Sequence, residues 1–340
     1  MSSCFRAFCR VIPAMLIMAL LFPAFSQEPD GIAAGIADAR ALIDQGKQAQ
    51  AIEKLRSLNS GNDPRVAQMM GVAFYHSNDP VHAIEQLTAV VDRFRPESQE
   101  SRETIQILGL CHYLAGHIPE SLPFLEQSRS WAGNNADLLY VLGMAYVQTR
   151  QPAKAREAFA RMFGVEIESP AAHLLTAQMM TRLEFEEYAQ AELLQALKED
   201  ARLPQAHFLL GEIDIFRARL DEGIAQMKQE LELNPANSMA LYRLGDAYTR
   251  QLKWDDAVAA LQKSIWLNPY YSAPYILLGK AYMNRSQIPA AEGMLRHAIQ
   301  FDPNNRSAHY MLAQVLQQQG RPEEAKREFD ISERLHSDEK

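Results

Sequence analysis

The phrase Leu-Gly-x-Ala-Tyr occurs three times in this chain, at Leu142–Tyr146, Leu244–Tyr248 and Leu278–Tyr282, spaced by multiples of 34 residues. An alanine follows each glycine after twelve positions (Ala155, Ala257, Ala291), and a large apolar residue stands four further on (Phe159, Leu261, Leu295). Asn234-Pro235, Asn268-Pro269 and Asp302-Pro303 punctuate the same period. Self-similarity at a fixed spacing of roughly 20–50 residues decides an architecture, because each period must be one supersecondary unit stacked on the next.

Carried along the chain, the period gives about nine units from Gly31 onward. The glycine slot reads Ala39, Gly71, Gly109, Gly143, Ala177, Gly211, Gly245, Gly279 and Ala313; the slot twelve later reads Ala51, Ala83, Ser121, Ala155, Ala189, Gly223, Ala257, Ala291 and Ala325. Every one of these residues is small. Successive slots lie 32, then 38, then repeatedly 34 residues apart.

Helix geometry accounts for the slots. Large residues one turn apart, such as Leu244 and Tyr248, mark the buried face of a first helix. Gly245 lies on that side and lets a second helix approach, with Ala257 as its expected counterpart at the crossing and Leu261 filling the space beside Tyr248. Pro269 stops the second helix, since it lacks an N–H and restricts Asn268 before it. One helix pair cannot bury both its faces, so the pairs must stack.

The pattern resembles the tetratricopeptide repeat, a 34-residue helix–turn–helix unit. The resemblance implies an all-α fold: a right-handed α-solenoid superhelix of stacked antiparallel helix pairs. Two units are expected over residues 32–97 and seven over 102–340, with the extra residues Pro96–Arg102 as the hinge between them. Asp38 makes the first unit a polar-faced cap. At the other end the charge-rich helix from Glu323 to Leu335 serves as its own cap. Asp214, where other units have Tyr or Leu, is expected to pair with Arg217 or another nearby base.

Residues 1–26 read as an export signal. Arg6 and Arg10 precede an apolar stretch, Val11 to Phe25, and Ala24-Phe25-Ser26 offers small residues for cleavage after Ser26. That stretch is short for about 30 Å of hydrocarbon and is broken by Pro13 and Pro23; an uncleaved anchor is the alternative reading. The expected location is periplasmic or secreted, with no integral membrane span after cleavage. Cys4 and Cys9 leave with the signal, so Cys111 is the one thiol expected in the exported chain, buried at a helix contact.

Composition excludes several function classes. A net charge of −8, from 34 basic and 42 acidic residues, disfavours a nucleic-acid partner. No Gly-x-Ser-x-Gly elbow, His-Glu-x-x-His motif or Gly-rich phosphate loop is present, so neither catalysis nor a cofactor is expected. His173, His207 and His309 recur in one slot, but equivalent atoms of adjacent repeats sit about 8–10 Å apart, too far to share one metal ion. They are read as packing residues.

The resemblance places a second face of each first helix on a concave wall. Positions such as Tyr140, Met144 and Val147, spaced four and then three, share that face. Along the array it carries Tyr140, Met144, Leu174, Gln178, Phe208, Glu212, Tyr242, Asp246, Ile276, Lys280, Tyr310 and Gln314. Large residues recur at Tyr140, Phe208, Tyr242, Ile276 and Tyr310, where a merely solvated face would carry charge; tyrosine in particular suits an interface. None of these pairs reproduces the Lys-then-Asn clamp by which similar domains hold acidic chaperone tails. Glu212 and Asp246 are instead expected to meet basic residues of a partner. The function expected is a non-catalytic protein–protein interaction scaffold of the cell envelope. An accessory or assembly factor for exported polysaccharide or pilus biogenesis is the alternative.

Overall fold

The computed structural model describes residues 31–58, 62–183 and 185–338. The export signal read in residues 1–26 lies outside them. Among the described residues eighteen α-helices follow one another without a strand, two per unit, as an all-α solenoid of stacked helix pairs. The chain divides into two compact units, Met1–Thr104 and Ile105–Lys340.

The first compact unit contains α1 (Gly31–Asp44), α2 (Gln48–Ser57), α3 (Pro64–His76), α4 (Pro80–Thr88) and the start of α5 (Gln99–Leu114). Its polar anchor is Glu103, which accepts both guanidinium nitrogens of Arg40 and the side-chain amide of Gln68 at 2.5–2.7 Å. Asp38 is exposed and paired with Lys54 at 2.5 Å, in keeping with a polar first helix.

The second compact unit runs through α6 (Ile118–Ala132), α7 (Ala136–Gln148), α8 (Pro152–Phe163), α9 (Pro170–Thr181), α10 (Glu186–Glu199), α11 (Ala206–Phe216) and α12 (Leu220–Leu233). It continues through α13 (Ser238–Arg250), α14 (Trp254–Leu267), α15 (Ser272–Asn284), α16 (Ile288–Phe301), α17 (Arg306–Gln318) and α18 (Pro322–Asp338). Asn135, Asn237 and Asn305 start first helices by accepting the backbone N–H three residues on, at 2.9–3.0 Å. Each thereby satisfies one of the orphan donors at a helix N-terminus. The turn within a pair needs a left-handed residue seven positions after the glycine slot. Gly46, Gly116 and Gly320 meet that need without strain, whereas Asn78, Arg150, Ala218, Leu252 and Ser286 adopt φ of 58–61° despite carrying a Cβ.

The glycine slot also makes room for a large side chain of the second helix. A Cβ built on Gly245 would stand 2.5 Å from Leu261 Cγ, one on Gly279 2.7 Å from Leu295 Cγ, and one on Gly143 2.5 Å from the Phe159 ring. The space at Gly245 is therefore occupied by Leu261. That residue stands sixteen positions on, and Ala257 is fully buried in the same core; in the sixth unit the two small slots, Gly211 and Gly223, do meet. The pairing of a vacancy with a full-sized side chain is a knob-in-hole contact that a second alanine could not fill.

The histidine slot is a packing slot with a polar latch. His173, His207 and His309 each bond through Nδ1 to the side chain nineteen residues on: Glu192 at 2.6 Å, Gln226 at 2.7 Å and Glu328 at 2.6 Å. In two of them Nε2 reaches the carbonyl six residues back, Ala201 at 3.1 Å and Pro303 at 2.9 Å. Tyr275, in the same slot, donates its hydroxyl to the Pro269 carbonyl at 2.9 Å. Asp214 is buried and paired at 2.6 Å, with Arg219 rather than Arg217. Among the described residues no group of three His, Cys, Asp or Glu is placed to hold a metal ion. Nor is any helix among them long and apolar enough to cross a membrane.

Candidate functional site

The residues singled out from the sequence lie in pairs on the first helices α7, α9, α11, α13, α15 and α17. Tyr140 on α7 and Tyr310 on α17 are 37% and 49% exposed. Leu174, Phe208, Tyr242 and Ile276, at the equivalent position of the helices between, are half-buried. Their inner atoms pack on the hydrophobic core and their outer atoms face solvent. Lys280 is exposed and Gln314 half-buried, while Gln178 donates its amide to Gln205 at 3.2 Å. Met144 departs from the set. Only 7% exposed, it belongs to the core around Leu142, Tyr146 and Phe159, so it offers nothing to a partner.

Two of these residues carry structural weight as well. The Tyr242 ring meets the edge of Tyr271 at 5.3 Å, and the Arg243 guanidinium lies 5.4 Å from its centroid. Burial of the ring pushes its hydroxyl up to about 12. Tyr310 likewise sets its ring at 67° to Phe329, 5.5 Å away.

Glu212 and Asp246 do not wait for a partner's cations, contrary to the expectation from sequence. Arg243 Nε donates to Glu212 at 2.8 Å, linking α13 to α11. Arg250 pairs with Asp246 one turn away at 3.0 Å, and its Nη1 donates to the Ile215 carbonyl at 3.1 Å. The latter contact caps the C-terminal end of α11 with a cation, where the helix dipole favours one.

These pairs form the floor of a cleft of about 230 Å³, lined by Thr181, Glu186, Glu212, Ile213, Ile215, Phe216, Arg243, Asp246 and Arg250. Pockets that enclose a drug-sized ligand or cofactor are larger, roughly 300–1,000 Å³. Glu186 begins α10, and its carboxylate has no ion pair or hydrogen bond among the described residues. Phe216 ends α11 with its ring 76% exposed. Sequence reasoning passed over Glu186, Phe216, Arg243 and Arg250. The Asp246/Arg250 spacing of four on one helix was a legible signal; the other three depend on contacts between units.

Cys111 has no exposed surface, and burial pushes its thiol up to about 12. It is a packing residue without access to a reaction partner.

Residues 216–272 and 285–334 match profiles of the tetratricopeptide repeat. No curated protein matches the chain. Among solved structures, pilF of Pseudomonas aeruginosa aligns at 18% identity and a TM-score of 0.50, over 59% of this chain and 92% of that one. MamA of Desulfovibrio magneticus RS-1 aligns at 20% identity and a TM-score of 0.47, over 50% and 96%. YrrB, described as a repeat protein with an unusual peptide-binding site, aligns at 18% identity and a TM-score of 0.47, over 55% and 94%. At 18% identity the likeness to pilF is one of fold alone.

Proposed function

We propose that this tetratricopeptide-repeat protein is a non-catalytic scaffold of the cell envelope that holds a peptide or protein segment along the second face of its first helices. One observation carries the reading: Tyr140, Leu174, Phe208, Tyr242, Ile276 and Tyr310 present apolar surface at one register of six successive repeats. A row of half-buried rings and aliphatic chains loses little entropy on binding and gains apolar burial, which suits an extended or helical segment. The same slots leave little room for chemistry, since the carboxylates Glu212 and Asp246 are held by the chain's own arginines. The envelope setting rests on the export signal read in residues 1–26. A role in assembling exported polysaccharide or pili is the same scaffold activity with a different partner.

Photo-crosslinkers placed at Phe208 and Tyr310, compared with one at exposed Trp266, test the reading in native envelopes. Specific adducts from the first two sites are expected. Adducts confined to Trp266 would move the binding surface elsewhere, and fractionation of the full-length chain with the cytosol would remove the envelope setting.

A further inference from the structure

We infer that the cleft at Glu186 and Phe216 is the basic-residue pocket of the binding face: it receives one Lys or Arg side chain of the bound segment. The inference rests on the groove reading above and specifies what the segment must carry there.

The cleft's size, about 230 Å³, suits a single side chain rather than a small molecule. Its charges decide which one. Of the three carboxylates lining it, Glu212 is taken by Arg243 and Asp246 by Arg250, and both arginines are thereby committed to acids of the chain itself. Glu186 alone is left without a cation among the described residues, so the lining carries one uncompensated negative charge. An incoming carboxylate would have to compete with Glu212 or Asp246 for an arginine and would face Glu186 as a like charge. A cation meets Glu186 with no such competition.

The remaining lining fits the stem of such a residue. Ile213 and Ile215 are almost wholly buried, so the apolar surface the cleft offers is that of the Phe216 ring. Lys and Arg carry a long aliphatic chain below a charged head, and their cations are attracted to an aromatic face.

The experiment uses the full chain and four fluorescein-labelled short peptides of alternating Leu and Ser that differ only at a central Lys, Arg, Gln or Glu, read by anisotropy at low and high salt. The Lys and Arg peptides are expected to bind about tenfold tighter than the Gln peptide, with the Glu peptide weakest and the preference fading as salt rises. Glu186→Gln should bring the Lys peptide to the level of the Gln peptide while leaving the Gln peptide unchanged. Phe216→Ala removes an exposed ring without a fold cost and should weaken both basic peptides. Equal affinity for Lys and Gln peptides, or a Lys peptide indifferent to Glu186→Gln, overturns the inference. Charge-blind binding that is nevertheless lost in Phe208→Ala leaves the groove standing and removes only the role of Glu186. If none of the four peptides binds, the groove reading fails and this inference with it.

Discussion

Gly245→Ala and Gly293→Ala add the same methyl group to two helices of one stack, and the structure gives them opposite signs. In α13 the new Cβ would stand 2.5 Å from Leu261 Cγ and 2.6 Å from its Cδ2, against an ordinary carbon–carbon contact of about 3.5–4.0 Å. Leu261 has no exposed surface into which to retreat. Either its rotamer distorts or the two helices separate, an overpacking cost of about 1–3 kcal/mol. Alanine returns about 0.8–1.0 kcal/mol of helix propensity, so a net loss of up to about 2 kcal/mol is expected. At Gly293, inside α16, no atom lies within 4 Å of the built Cβ. The propensity gain then stands alone, and Gly293→Ala should stabilise by up to about 1 kcal/mol. Stacked repeats open locally, so hydrogen exchange by peptide is the assay to run beside urea melts. Faster exchange over α13 and α14 is expected in the first variant and slower exchange over α16 in the second. Adding Leu261→Val to Gly245→Ala should recover part of the loss. If Gly245→Ala stabilises the protein as Gly293→Ala does, the vacancy-and-knob account of the repeat is wrong.

Three further outcomes follow from the same structure. Leu252 holds φ at +59° in a turn with its side chain 66% exposed; Leu252→Gly relieves that backbone and should stabilise by about 0.5–1 kcal/mol in a urea melt. Burial of Glu292 opposes its charge, but bonds from Gln319, Arg321 and Arg296 outweigh that and hold its carboxyl at about 2, below the ordinary 4.5. A depressed carboxylate stabilises above its unfolded value and loses that contribution as pH falls toward the folded one. Acid titration of exchange in α16–α18 should therefore show destabilisation between about 4.5 and 2 that is absent in Glu292→Gln. Tyr248→Ala opens the core and should cost about 3–5 kcal/mol. Tyr242→Ala, removing a half-buried ring that also packs on Tyr271 and Arg243, should cost about half as much. Equal melting temperatures for the two would place Tyr242 wholly in the core.

What could be read from the sequence is what depends on residue size at a fixed period. Small residues every 34 positions, large ones between them and prolines at the boundaries determine paired helices and their stacking, because steric volume acts locally and repeats identically. The aromatic row on the second face was legible for the same reason: helical phase alone separates Tyr242 from Tyr248. What only the tertiary structure decided is who meets whom across helices. Leu261 fills the space at Gly245, and Met144 turns into the core although the residues of its register in other units stay in contact with solvent. Charge was the least legible property of all. Arg243 lies 31 residues from Glu212 and neutralises it, while beside Phe216 the carboxylate of Glu186, unremarkable in sequence, has no partner among the described residues. An ion pair is settled by where two flexible side chains end after the backbones have stacked, and no period of the sequence encodes that distance.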